Sequence, residues 1–351
     1  MFFRSKTKTA VDTYNDRSTV TQHSTARTAY LIGPGCVRVE GDVPTWTPVD
    51  GNRTKLHFQY LESIVCFGNV DLSTACLTRL WSHGIHVSFL SPSGHRALGI
   101  LEPIGERSSQ RIRWQYLAAS DPELRLRFAK ETVHQKIEST IATARYFQQQ
   151  GKKADFGAVL ITLKTMSDKL NVAKDLDVLR GIEGNAARTW FDVYRQLVGP
   201  EWEFETRSAH PPVGPLNAVL SLGYVMATTR CRQLAFAAGF DPRIGYLHAV
   251  RSGRDSLACD LVEPLRTMLV DRLVLAQIGR RQLTPDSFER GASGCLLKTT
   301  EMRAFVSAFE KQFLESSAAS PSPRELIQIR LDSIASILEE RFGNTGTVNH
   351  E

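Results

Sequence analysis

The stretch ALGILEPIGERSSQRIRWQYLAASDPELRLRFAK (97–130) changes character partway along. ALGILEP reads as a short strand closed by proline. From about residue 105 onward, Leu, Ile, Ala, Phe and Tyr recur at three- and four-residue spacing through long proline-free runs, the period of an amphipathic helix. Upstream, AYLIGPG (29–35), CVRVEGD (36–42), KLHFQYLESIVCFGN (55–69) and HGIHVSFLSPSG (83–94) are short strands divided by Gly and Pro turns. VSFL and SIVCF carry the β-branched and aromatic residues that suit a pleated surface. Between them, DLSTACLTRLWSHG (71–84) has the spacing of one short helix. The expected class is α+β, with a small β-rich N-terminal domain followed by a larger all-helical catalytic domain. The expected boundaries are an atypical polar extension over 1–28, the β-rich domain over 29–101, the helical domain over 102–343 and a polar tail over 344–351.

In the helical part, breaks fall near RQLVGPEWEF (195–204) and RSAHPPVGP (207–215). A long apolar helix follows over about 216–237. GFDPRIGYLH (239–248) then leads to another helix over about 256–275. SSAASPSPRE (316–325) reads as a flexible joint before a last helix, IQIRLDSIASILEERF (327–342). There is no internal repeat.

With 351 residues and 42% hydrophobic content, the chain has enough apolar surface for a substantial core. Its six cysteines are scattered with no CxxC pair, against a thiolate zinc site or a dense disulfide framework, and a reducing cytoplasm is the simpler setting. The first residues lack the apolar run of a signal peptide, and the greasiest stretch is interrupted by Arg230 and Arg232, so no membrane span is expected. The formal net charge is +6, and residues 106–180 hold 14 Lys or Arg against 9 Asp or Glu. Such a surface could track a phosphate backbone, although any solvated helical domain is laced with Lys and Arg.

Acidic residues and one histidine give a sharper signal. In DVLRGIEGNAARTWFDVY (177–194), a helix starting near Ile182 stacks Ala187 and Phe191 over Glu183. Glu183 is then a carboxylate on a small, apolar face, or a residue favoured by the helix dipole. Gly181 and Gly184 permit close approach of a backbone or ligand, or ease a tight start to the helix. In GYLHAVRSGRDSLACDLVEPLR (245–266), Ser256 can cap a helix that sets Asp260 and Glu263 three residues apart on one side. Carboxylates this close repel unless a cation or proton sits between them. With His248 just upstream, the set suits Mg²⁺ or Mn²⁺ and phosphate oxygens. The competing reading makes His248 a packed core residue and pairs Asp260 and Glu263 with Arg254 and Arg266 at the surface.

These residues lie in strings that together resemble the universal CRISPR adaptation integrase family, the CRISPR-associated spacer-integrating endonucleases. The strings are LESIVCFGN, GIHVSFLSPSG, LRGIEGNAARTWF, HPPVGPLNAVLSLGY, AGFDPRIGYLH, GRDSLACDLVEPLR and VDRLVL, in the family's order over roughly residues 29–310. The first-domain wording resembles most the form found with type I-C systems. The resemblance implies Glu183, His248 and Glu263 as metal ligands and Asp260 as an essential neighbour. It further implies that a 3′-hydroxyl of incoming DNA attacks a phosphodiester at the CRISPR repeat, with metal-dependent DNA nicking as a related activity. The implied partners are double-stranded DNA, a second copy in a homodimer involving the β-rich domain, and a small dimeric adaptation protein bridging two such dimers. Arg188, Arg254 and Arg266 are electrostatic candidates for holding DNA phosphates. A stand-alone metal-dependent nuclease would share every one of these site residues, and a noncatalytic DNA-binding scaffold would need none of them as a set. Around the double proline, His210 and Gly214 stand where relatives usually carry a basic and an acidic residue.

Overall fold

The computed structural model describes residues 28–103, 109–209, 212–291, 294–317 and 320–343. The N-terminal extension, the C-terminal tail and His210 lie outside the described residues. The β-rich part holds β1 (Thr28–Ile32), β2 (Gly35–Glu40), β3 (Val43–Pro48), β4 (Thr54–Lys55), β5 (Ser63–Phe67), β6 (Val70–Leu72), α1 (Thr74–Ser82), β7 (His86–Leu90) and β8 (Ala97–Leu101). Two four-stranded sheets form, in the orders β1-β5-β7-β8 and β4-β3-β2-β6. In the first, β5 runs parallel to both β1 and β7, and β8 closes the edge antiparallel.

Strand alternation divides the first sheet between two cores. Ala29, Leu31, Ile64, Cys66 and Val87 face Val37, Trp46, Leu56, Cys76 and Leu80 in the small core. Tyr30, Ile32, Val65, Phe67 and Leu90 turn the other way and join the core of the helical part. The sheet is thus a middle layer buried on both faces, which is why SIVCF reads as an unbroken apolar run. Two details differ from expectation. KLHFQY forms one 3₁₀ turn over Phe58–Tyr60 beyond the short β4, and β3, bracketed by Pro44 and Pro48, pairs with β2 along its length.

The helical part comprises α2 (Ser109–Ser120), α3 (Pro122–Gln149), α4 (Phe156–Leu170), α5 (Leu176–Leu197), α6 (Gly214–Ala237), α7 (Ser256–Leu265), α8 (Arg272–Gly279), α9 (Thr299–Leu314) and α10 (Pro323–Phe342). Its one β element among the described residues is the hairpin of β9 (Phe288–Gly291) and β10 (Gly294–Leu297), which sequence periodicity did not show. The starts of the helices follow local chemistry. Asp121 accepts from the amides of Glu123 and Leu124, Asp175 from those of Asp177 and Val178, and Ser322 forms a capping box with Glu325.

Helix α6 is buried on nearly every side, and Arg230 goes into the core with it. Arg230 donates to Thr28, to Ser63 Oγ at 3.2 Å and to Gln233 Oε1 at 3.0 Å. Its guanidinium stands 3.5 Å from Glu310 on α9, and Glu310 accepts from the Tyr30 hydroxyl at 2.7 Å. This buried network ties the middle sheet to α6 and α9, with the polar groups desolvated as a set.

The expected helix over 256–275 is one rod in three pieces: α7, a π-helical turn over Arg266–Asp271, and α8. Pro264, inside α7, has no amide to donate, and the wider turn begins just after it. The turn brings Thr267 and Asp271 to the cavity described below.

Candidate active site

Helix α5 starts at Leu176, six residues ahead of the expected start, because Asp175 caps it. Glu183 is therefore in mid-helix and the dipole reading falls. Gly181 and Gly184 face open space, so neither serves a tight turn or a close internal contact. The expected stacking holds, since Glu183, Ala187 and Phe191 line one cavity of about 320 Å³.

His248 sits on the loop between α6 and α7, and that loop is pinned from four helices. Gln115 of α2 donates to the carbonyls of Asp241 and Ile244 at 2.9 and 2.7 Å. Arg125 of α3 donates to the Tyr246 carbonyl at 3.0 Å, and Arg180 of α5 to that of Leu247 at 2.9 Å. Asp260 of α7 accepts the amides of Tyr246, Leu247 and His248 at 2.6, 3.0 and 3.0 Å. Gly245 makes this approach possible. A Cβ there would stand 2.6 Å from the Ser256 carbonyl carbon and 2.8 Å from Asp260 Oδ2. Gly245→Ala should push the loop off α7, lowering stability by about 1–3 kcal/mol; thermal unfolding checks this, and an unchanged midpoint would contradict it. Ser256, expected as the cap of α7, instead occupies its first turn and donates to the Ala249 carbonyl at 2.9 Å. Asp255 holds the capping position.

Asp260 also approaches His248 Nδ1 at 2.7 Å. Asp260 accepts from Nδ1–H, which leaves Nε2 as the ring nitrogen turned away from it. Nε2 points toward Glu263, 3.9 Å from Oε1. Both Asp260 oxygens are thus bonded to the loop. The cation shared by carboxylates is elsewhere: the ammonium of Lys136 on α3 bonds to both Glu183 and Glu263, at 2.6 Å from Glu263 Oε2. Glu263 also pairs with Arg266 Nε at 3.1 Å. Burial would favour the neutral acid of Glu263, but Arg266, then Lys136 and His248, outweigh it and hold the carboxyl down at about 2. Glu263 and Asp260 are both 4% exposed, so neither lies at the surface; the expected pairing of Glu263 with Arg266 forms, but buried.

Among the described residues, no three Asp, Glu, His or Cys side chains are placed closely enough to ligate one ion. The Lys136 ammonium, held by both Glu183 and Glu263, takes the place of a cation between the two carboxylates, and His248 Nε2 lies 3.9 Å from Glu263 Oε1. Glu183, His248 and Glu263 are the set that could hold a divalent ion, and their oxygen and nitrogen donors fit Mg²⁺ or Mn²⁺.

The adjoining cavity is aromatic and carries both charges, with Lys136, Arg188, Arg207 and Arg266 set among Glu183, Asp192, Glu205, Glu263 and Asp271. Arg188, Arg207 and Arg266 line it with Trp190, Phe191, Tyr224, Thr140, Thr206 and Asp271. Arg266 lies over the Tyr224 ring at 4.9 Å and Arg207 at 5.2 Å. Of the expected phosphate contacts, Arg188 and Arg266 reach this cavity, whereas Arg254 lines a neighbouring one that shares Arg266. Lys136, Arg207 and Asp271 were not singled out in the sequence. Lys136 had a signal, since it falls on the apolar stripe of Val133, Ile137, Thr140, Ile141 and Ala144.

Asp271 accepts from Trp190 Nε1 at 2.8 Å and from the Tyr224 hydroxyl. Burial pushes its carboxyl up to about 6, against those two bonds and the charges of Arg207 and Arg266. In the unfolded chain it titrates near pH 4, so between about pH 4 and 6 the folded chain keeps a proton the unfolded chain releases. This share of stability is whole at lower pH and is lost as pH rises through about 6. Asp271→Asn should remove that slope, so that wild type loses roughly 2 kcal/mol relative to the variant between about pH 4 and 7. Parallel stability curves across that range would contradict it.

Two carboxylates around one cation position, with an imidazole edge beside one of them and an arginine-lined cavity adjoining, define a class of site suited to cations and phosphates. The family model for CRISPR associated protein Cas1 matches residues 29–311, and the chain belongs to the Cas1 family. A CRISPR-associated endonuclease Cas1 from Rhodospirillum rubrum is 36% identical over 316 residues, covering 83% of this chain and 90% of that protein. A CAS1 protein structure from Thermotoga maritima superposes with a TM-score of 0.78 at 25% identity, over 89% of this chain and 97% of that one. A casposase bound to an integration product shares the fold, with a TM-score of 0.77 at 21% identity over 90% and 91% of the two chains. Among the described residues, no helix is long and apolar enough to cross a membrane.

Proposed function

We propose that the chain is a DNA-integrating endonuclease of CRISPR spacer acquisition, working in the cytoplasm with Mg²⁺ or Mn²⁺. The observation that carries this reading is the convergence of Glu183 and Glu263 on one cation, with His248 Nε2 3.9 Å from the other oxygen of Glu263. In the reaction, the 3′-oxygen of an incoming duplex forms a bond to phosphorus at the repeat edge. The bond from that phosphorus to the 3′-oxygen of the nucleotide flanking the repeat breaks, and the proton of the attacking hydroxyl ends on the released 3′-hydroxyl. Glu183, His248 and Glu263 would hold the ion. The chemistry it supplies when bound is sharpening of the attacking hydroxyl and neutralisation of charge on the phosphodiester oxygens.

The protein's own groups do the positioning. Asp260 fixes the imidazole so that Nε2 stays available. Arg266, seated on Tyr224, holds Glu263 ionised. Arg188, Arg207 and Arg266 would take backbone phosphates in the cavity, with Arg254 extending the basic surface beside it.

The remaining assignments are part of the same reading. The boundaries at about residues 29, 102 and 343 mark a β-rich unit, used for homodimerisation, and a catalytic unit. The outer strand β8 supports the dimer, because this sheet edge leaves Leu98 and Leu101 exposed. A small dimeric partner would bridge two such dimers and space two reaction centres along one DNA fragment. The type I-C assignment rests on the wording of the first-domain strings. The test is to incubate a labelled duplex with free 3′-hydroxyl ends, the small partner and a supercoiled plasmid carrying a type I-C leader and repeat. Joined product at the repeat supports integration; cleavage without joining, with the partner complex formed, would replace this reading with that of a stand-alone nuclease.

A further inference from the structure

Lys136 is a lysine in a place where lysines are costly. It is 7% exposed, on the inward face of α3, and its ammonium is shared by Glu183 and Glu263. A buried carboxylate pair without a cation would be pushed apart or take up a proton. Lys136 supplies that cation from within the chain. The same side chain borders the cavity of about 320 Å³, lined by both arginines and carboxylates, that opens beside Glu183 and Glu263, so the ammonium has space to move into. Thr140, one turn further along α3, also lines that cavity.

Building on the proposed ion site, we infer that Lys136 is an internal counter-cation that keeps Glu183 and Glu263 assembled in the ion-free protein. A divalent ion displaces it from between them, and the freed ammonium turns into the cavity, where it meets a DNA phosphate. Ion and lysine cannot both occupy the space between the carboxylates, because two cations in direct contact repel strongly in a buried site. The carboxylate pair therefore binds the ion in competition with Lys136, and ion affinity is lower than the bare carboxylates would give. In return, the ion-free site does not collapse, and loading the ion places one more positive charge where phosphate arrives. Ion binding and DNA binding are then coupled through one side chain, and by linkage each strengthens the other.

Two measurements on the full chain test this without reading catalysis. In the first, Mn²⁺ is titrated in the absence of DNA and free ion is followed by electron paramagnetic resonance. Lys136→Met should bind Mn²⁺ at least about ten-fold more tightly than wild type, whereas Lys136→Arg, which keeps the charge, should not. The ion-free Lys136→Met protein should also melt earlier than wild type and gain more from Mn²⁺. Unchanged or weaker Mn²⁺ binding by folded Lys136→Met would overturn the inference. The second uses wild type alone and so does not depend on a variant folding. Reductive methylation of Lys136, read by peptide mass spectrometry, should rise several-fold on adding Mn²⁺, and labelling indifferent to Mn²⁺ would overturn the inference. Glu183→Ala and His248→Ala run alongside. Mn²⁺ binding unaffected by either would sink the proposed ion site itself, whereas binding weakened by both, with Lys136 failing its tests, would sink only the competition.

Discussion

Strand transfer by the His248→Ala protein is expected to fall at least about a hundred-fold, and Glu183→Ala should be equally impaired. The size follows from how the site is built. His248 offers one nitrogen, Nε2, and four helices fix the loop that aims it. Alanine removes that ligand and leaves no neighbouring group in its place, since Asp260 is already committed to the loop amides. Glu183 likewise has no substitute on α5, because Ala187 and Phe191 follow it along the same face. Groups that hold one ion act as a unit, so the double variant should be no worse than either single one. A quantitative joining assay on purified proteins checks this, together with circular dichroism to show that the fold persists. Activity within about ten-fold of wild type for either variant would contradict the assignment.

Asp260→Asn should weaken ion binding about 10- to 100-fold, although Asp260 is placed beside the proposed ligands rather than among them. Its carboxylate collects four donors: three successive amides and the Nδ1–H of His248. An asparagine of the same size presents an amide NH₂ to some of those donors and cannot accept from all of them. The loop then loosens, and the imidazole loses the partner that fixes its proton on Nδ1. A purely structural role would lower stability in any background. The positioning role makes a further demand: once His248 is alanine, Asp260→Asn should add little to the loss of ion affinity, although it still lowers the melting temperature. A double-mutant cycle on Mn²⁺ affinity measures this coupling directly, and fully additive losses would show that Asp260 acts by another route.

Much of the architecture was readable because burial follows simple periods. Short runs rich in β-branched and aromatic residues, SIVCF and VSFL, marked the middle sheet, and the helical spacing from residue 105 marked the larger part. The site was half legible. Glu183 and Glu263 meet on one cation and His248 approaches Glu263, but the three-residue spacing of Asp260 and Glu263 did not show that the two would take different partners. Side-chain length separates them: the shorter Asp260 is captured by the loop amides, and the longer Glu263 reaches across to Lys136 on α3. That partnership joins residues 127 apart in sequence, beyond the reach of any local period. Lys136 was hidden for a further reason, since it lay in a segment whose surplus of Lys and Arg suggested a solvated surface. The start of α5 lies six residues earlier than expected, where Asp175 supplies a cap. The π-helical turn after Pro264 has no signature in spacing, and β3 was masked by its two prolines.

The most direct test of the account is ion binding itself, measured by Mn²⁺ titration of wild type and of Glu183→Ala, His248→Ala and Glu263→Ala, without DNA. The account predicts saturable binding by wild type that chelator abolishes and that each substitution weakens at least about ten-fold. Three variants that fold and bind Mn²⁺ as wild type does would contradict it.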